Sequence, residues 1–171
     1  MSMRLAHPEP PSTADPRELL LGYLDFYRDQ AVEKCTGLTP EQLHATLLPS
    51  GWTPAGLLTH LAFMERRWLR WGFLAEQVDE PWGDHVGGQK GDGWVPRDAD
   101  LPALAQRLRD GGRRTREIVE AHALTAAAAA GGRFETAEGA PHLQWILLHV
   151  LQEYARHVGH LDIVRELHDA P

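Results

Sequence analysis

Cysteine is nearly missing from this chain of 171 residues: Cys35 stands alone. A single thiol excludes any intramolecular disulfide framework and fits a reducing, cytoplasmic setting. Long apolar runs are missing too. The longest uninterrupted pieces are as short as WILL, far below the ~18–20 residues that span a bilayer, and the N-terminal MSMRLAHPEPPSTADP has no apolar centre that would mark a secretory signal. Positive charge is in deficit, with Lys+Arg 17 against Asp+Glu 24 and a net charge of -7. That balance excludes a general nucleic-acid binder, which would need a basic face. Lysine is reduced to Lys34 and Lys90 while arginine, alanine and glycine abound, the imprint of GC-rich codon usage. The two basic runs, RRWLR at 66–70 and RRTR at 113–116, read as solvated helix faces.

What is present is an ordinary globular composition, with 43% hydrophobic residues, in a length that suits one domain with a sizeable core. Residues 1–14, rich in proline and polar groups, are expected to form a flexible arm, and 15–171 the folded domain. Four long helical segments stand out and no convincing strand does. The first, about 15–34, opens on Asp15–Pro16, an N-cap followed by proline at the first helical position, and carries Leu20, Tyr23, Leu24, Tyr27 and Ala31 at helical spacing. The second opens with the same signal at Thr53–Pro54 and reaches about Gln77, with Leu57, His60, Leu61, Met64, Trp68 and Trp71 on one stripe; Glu65, Arg66, Arg67 and Arg70 lie mostly off it. The third covers about 100–123, where Gly111–Gly112 suggests a kink. The fourth runs from about Pro141 to His168, and its stripe reads Leu143, Ile146, Val150, Glu153, His157, Leu161 and Val164. Segments 36–52 and 79–99 read as loops. The second of these is glycine-rich but follows neither a P-loop nor a GxGxxG pattern, and Trp82 and Trp94 would anchor it over one end of the bundle. The sequence therefore predicts an all-α four-helix bundle, an architecture that builds metal sites from side chains on facing helices.

Polar residues interrupting an apolar seam are the feature that carries chemistry. Glu153 and His157, four apart, share a helix face with side chains ~5–6 Å apart, so a carboxylate and an imidazole can grip one ion. His60, on another helix and pointing where core residues point, would supply the third ligand of an open metal site. A metal-free Glu–His network is the competing reading. His149 extends the ladder to His149, Glu153 and His157, which spans ~12 Å, too long for one ion; spacing alone leaves the pairs 149/153 and 153/157 both open. His160 is expected beside the ligands rather than among them and is the candidate general base. Trp68 and Trp71 are candidates for the wall of an apolar pocket that binds the cosubstrate. His7, His44, His85, His122, His142 and His168 read as solvated or loop histidines, Asp162 and Arg165 as a surface pair, and Cys35 as a bystander.

The run EYARHVGHLDIVRE, together with HLAFMERRWL on the earlier helix, resembles the DinB-like superfamily of metal-binding four-helix bundles. Over about 15–168 the chain looks most like its small members and the metal domain of mycothiol-dependent maleylpyruvate isomerase. The superfamily pattern is three histidines with H-x-x-x-H on the last helix; here Glu153 takes the first of those two places, as in the mycothiol-linked branch. That correspondence, with Gly159 two residues after the final ligand, implies His60, Glu153 and His157 as ligands and leaves His149 outside. It implies zinc, with nickel the alternative, and mycothiol or a similar thiol as cosubstrate. The activity implied is a metal-dependent thiol S-transfer, in which the activated thiol attacks a small electrophile. The alternative is a non-catalytic metal-binding bundle acting as a ligand-binding or interaction module. The isomerase carries a further C-terminal domain whereas this sequence stops at Pro171, so maleylpyruvate isomerisation itself is not expected. Bundles of this kind often form homodimers through an apolar helix face, which the sequence does not identify.

Overall fold

The computed structural model describes residues 10, 12–91 and 93–169. Residues 1–9 and 11, most of the expected arm, with His7, lie outside them. Five α-helices follow in order: α1 (Pro16–Cys35), the single turn α2 (Pro40–Leu43), α3 (Pro54–Arg66), α4 (Leu101–Ala121) and α5 (Leu143–Asp169). Among the described residues there is no strand, only the isolated antiparallel bridges His85–Trp94 and Ala127–His142. Among the same residues no helix is long and apolar enough to cross a membrane.

The starts of α1, α3 and α4 are fixed by capping side chains present in the sequence. The Asp15 carboxylate accepts from the Arg17 N–H at 2.9 Å, the Thr53 hydroxyl from Gly56 N–H at 3.0 Å, and the Asp100 carboxylate from Ala103 N–H at 2.9 Å. Each satisfies one of the donors that a helix N-terminus leaves open. The turn α2, inside a segment expected to be loop, is held by a capping box in which Thr39 and Gln42 bond each other's backbone N–H.

α1 packs along α5 and against α4, while α3 packs against α4 and α5. Leu24, Leu57, Leu61, Leu108, Ile146 and Val150 are buried in the shared core, each worth about 1.5–3 kcal/mol of apolar burial. α3 is the central element: twelve of its thirteen residues are buried, Pro54 through Glu65. Beyond Arg66 it continues as a π-helical stretch, Arg67–Phe73, and the chain turns away at Ala75, φ 54°. The second helix is therefore shorter than expected and its last two turns are widened, a deformation common where a helix carries functional groups.

Two expectations are corrected here. Glu65 and Arg67, off the apolar stripe, are not solvated: they are 1% and 3% exposed, because a helix surrounded by others has no solvent face to give them. Gly111–Gly112 does not kink α4, which runs unbroken. A Cβ on Gly112 would sit 3.0 Å from the Arg28 guanidinium, so the missing side chain makes room for an arginine. That arginine completes a closed polar cluster. Arg28 donates to both oxygens of Glu65, from Nε at 3.1 Å and Nη2 at 2.5 Å, and Thr115 and Tyr154 donate their hydroxyls to the same carboxylate, the latter at 2.7 Å. Burial pushes the Glu65 carboxyl up, but Arg28, Thr115 and Tyr154 together hold it below the usual range. To place Arg28 there, α1 turns Leu21, Leu24, Arg28 and Ala31 inward and leaves Tyr23, expected on the buried stripe, 36% exposed.

Candidate metal centre

His60 leaves the middle of α3 and meets Glu153 and His157 from α5. One ligand atom from each lies within 4.8 Å of the other two. The two imidazoles stand nearly perpendicular, centroids 5.2 Å apart, and His157 Nε2 is 3.3 Å from Glu153 Oε2. His149 reaches only to within 3.6 Å of the other Glu153 oxygen, beyond hydrogen-bond range, and it stacks on Trp145 at 5.3 Å. Of the ladder's two open pairs, the lower rung is the one that faces His60.

Asp84, from the loop between α3 and α4, orders the centre. Its Oδ2 lies 2.9 Å from His60 Nδ1, so Nδ1 carries the hydrogen and Nε2 presents its lone pair towards Glu153 and His157. That is the tautomer a metal-ligating histidine takes when its other nitrogen is held by a carboxylate. Asp84 is 0% exposed and receives both ends of the Arg67 guanidinium, Nη2 at 3.0 Å. Burial alone would raise its pKa, but the His60 and Arg67 hydrogen bonds hold it below the usual carboxylate range. Burial lowers the His60 pKa, with repulsion from His157 acting in the same direction. The ring is therefore neutral at pH 7, as a ligand must be. The Glu153 carboxyl is held low, first by its bond with His157, and is ionised.

A second group, His60, Asp84 and His85, also converges within 4.8 Å. Its carboxylate is already engaged by Arg67 and His60, so it has little left to offer an ion. The donor set that fits a divalent cation is His60, Glu153 and His157: two imidazoles and an ionised carboxylate, with a buried acid fixing the tautomer.

The loop over 79–99 closes this end of the bundle as expected, and Trp94 is one anchor: its ring lies on His60, centroids 4.1 Å apart and 16° from parallel. His85, expected to be a solvated loop histidine, is instead 8% exposed. Its Nδ1 is fixed 2.6 Å from Gly91 O and its ring faces Asp84. The bridge with Trp94 folds this loop back on itself and carries His85 inside. A cavity of about 550 Å³ opens beside the centre, with His60, Trp68, Trp82, Arg133, His149 and Glu153 among its walls. Trp68 is thus at the cavity, whereas Trp71 stands edge-on to Trp82 at 6.4 Å and accepts the Arg133 N–H on its carbonyl. His160 faces His157, Nδ1 to Nδ1 at 3.2 Å, behind the ligand. Gly159 has open space where a Cβ would stand. The surface pair expected of Asp162 and Arg165 is not formed: Asp162 pairs with Lys34 across to α1 and Arg165 with Asp169.

Sequence reasoning missed Asp84 and Arg133, and it named Trp82 as an anchor of the loop but not as a wall of the cavity. All three lie in irregular segments, where no periodicity points to a face; the one available signal was an isolated acid beside a histidine in a glycine-rich loop.

Residues 19–170 match the model of a protein family described as mycothiol-S-transferase. No curated protein matches the chain.

Proposed function

The chain belongs to the mycothiol-S-transferase family, and from that premise we propose that it joins the sulfur of mycothiol, or a similar low-molecular-weight thiol, to a small electrophile in a divalent-metal-dependent reaction. The carrying observation is His60: a buried, neutral imidazole fixed through Nδ1 by Asp84 and aiming its free nitrogen at the Glu153/His157 rung. His60, Glu153 and His157 would hold the ion, zinc first and nickel second. The chemistry available from such an ion, when bound, is stabilisation of a thiolate over its thiol near neutral pH.

The chain's own groups do the rest. Asp84, clamped by Arg67, keeps His60 in the ligating tautomer. His160 can do the same for His157. With the hydrogen on His157 Nδ1 and donated to His160, His157 Nε2 and Glu153 Oε2 face each other as two acceptors, a contact that a cation relieves. With the hydrogen on Nε2 instead, the bond runs to Glu153 and the centre closes on itself. His160 is thus better suited to positioning than to proton transfer. Trp68 and Trp82 wall the cavity and Trp94 covers the His60 ring, so that together they limit the access of water. In the overall reaction the thiol loses its proton, sulfur forms a bond to the electrophilic carbon, and the leaving group departs with the electron pair of the broken bond.

The test is conjugation of mycothiol with iodoacetamide by purified protein of measured metal content, with and without chelator. The expected result is about one equivalent of divalent metal and a rate above the uncatalysed reaction that disappears on chelation and returns with zinc. A His60→Ala protein should lose both metal and rate. Conjugation indifferent to the chelator would overturn the metal dependence, and no conjugation above background would overturn the transferase reading.

A further inference from the structure

Arginines in this protein are mostly matched to acids: Arg28 to Glu65, Arg67 to Asp84, Arg107 to Asp98, Arg70 and Arg114 to Glu76. Arg133 is not. It lies in the connection between α4 and α5, partly buried, and its guanidinium sits 4.1 Å from the Trp68 ring centre and 5.7 Å from that of Trp82. Among the described residues no carboxylate forms an ion pair with it. Burial and the nearby Arg67 both depress its pKa, and no acid offsets them. The placement is built in. The Arg133 N–H is held by Trp71 O at 3.0 Å, and the preceding Gly132 lies so close to that strand of backbone that a Cβ would stand 2.1 Å from the same oxygen. The loop is seated on the end of the π-helical stretch in a way only glycine permits, and that seating delivers Arg133 to the cavity wall. Lys90, also without an acidic partner among the described residues, reaches the Trp82 ring from the rim at 6.0 Å.

A guanidinium lying over an indole uses its face and keeps its in-plane N–H fork free. That fork is shaped for a carboxylate. The acids nearest the cavity pair elsewhere or face the centre, Asp84 bonded by Arg67 and His60 and Glu153 set against His157, and neither forms an ion pair with Arg133. The counter-charge of Arg133 must then come from outside the chain.

We infer that the electrophile accepted by this cavity is an organic carboxylate, its charged end held by the Arg133 fork and its body laid between Trp68 and Trp82. Naming the ligand as the electrophile rests on the S-transfer reading above; the carboxylate preference rests on Arg133 alone. It makes Arg133 a specificity residue, with Lys90 adding charge at the entrance.

The test separates the two. Calorimetric titration of the full chain with 1-naphthoate and with 1-naphthamide, a pair differing in charge and little in shape, needs no turnover. The carboxylate is expected to bind about tenfold or more tightly than the amide, the scale of a hydrogen bond to a charged group. Arg133→Gln should abolish that preference, bringing the two probes to equal affinity, while Arg133→Lys, which keeps charge but not the fork, should keep part of it and guards against a Gln variant that fails to fold. Equal binding of the two probes by the wild type would overturn the inference, as would a preference that survives in Arg133→Gln, since the charge would then be read elsewhere. In parallel, mycothiol conjugation with iodoacetate and iodoacetamide, each divided by its uncatalysed rate, should favour the anion. Loss of both rates strikes at the transferase reading and leaves the titration to decide carboxylate recognition; turnover of iodoacetamide without any naphthoate preference strikes at the inference alone.

Discussion

α3 and α5 each contribute to two buried polar clusters that are built to opposite rules. Glu65 and Tyr154 belong to one; His60, Glu153 and His157 belong to the other, although Glu153 and Tyr154 are neighbours in sequence. Around Glu65 every valence is used: two bonds from Arg28, one from Thr115 and one from Tyr154. Around His60 the outer valences are used, by Asp84 and Arg67, and the inner ones converge without closing. Closure is what a buried charge needs for stability. Leaving three ligand atoms pointed at one another has a cost, which the ion proposed above would offset. The comparison makes saturation, rather than burial or charge, the mark separating a structural cluster from a functional one.

The largest effect that would test the contrast belongs to the closed cluster. Glu65→Ala removes the carboxylate and strands the Arg28 guanidinium and the Tyr154 hydroxyl in the core. Breaking a buried pair from one side costs about 3–5 kcal/mol, a large share of the 5–15 kcal/mol that a domain has. Urea unfolding should show that loss, while the metal content of the surviving folded protein stays at the wild-type level. Metal lost in step with stability would mean that the two clusters are one unit and the contrast false.

Next in size is the support of the open cluster. Asp84→Asn keeps the shape but removes the charge that fixes His60 Nδ1–H. Loss of such an outer partner typically weakens metal affinity about 10–100-fold, to be measured by competition with a chromophoric chelator at a temperature where the variant is folded. Unchanged affinity would reduce Asp84 to a partner for Arg67 alone.

How much of this was legible beforehand follows from the same physics. His60, Glu153 and His157 were readable as candidates because they fall on the apolar stripe of a helix, His60 among Leu57, Leu61 and Met64 and the Glu153–His157 rung between Val150 and Leu161, so a polar residue there has to be explained. Glu65 and Arg67 were unreadable by that rule. The helix wheel assumes one wet face, and α3 has none, while the π-helical stretch past Arg66 breaks the 3.6-residue period that the wheel counts. Asp84 and Arg133 come from connections, where only the folded backbone decides which way a side chain points. The starts at Asp15–Pro16 and Thr53–Pro54 were legible because capping is local chemistry, whereas the last helix, expected from about Pro141, starts at Leu143; the kink expected at Gly111–Gly112 does not form, because glycine can serve either a bend or a close approach, and only the partner, Arg28, tells which.

The smallest effect concerns sulfur. Cys35 ends α1 fully buried, and burial pushes its thiol from 9.0 up to about 12, against a weaker opposing pull from Arg165. At pH 8 its thiolate is scarcer by a factor of roughly 10³ than that of a thiol at the ordinary value, so iodoacetamide should leave native Cys35 unmodified during an assay. A raised thiol pKa adds stability that is complete below pH 9 and is lost as pH climbs towards 12. Against Cys35→Ala, which cannot titrate, the wild type should therefore lose about 1 kcal/mol by pH 10, read by urea unfolding at pH 8 and pH 10. Rapid labelling of the native protein at pH 8 would instead give the chain a usable nucleophile of its own, and the need for a thiol cosubstrate at the open cluster would have to be argued again.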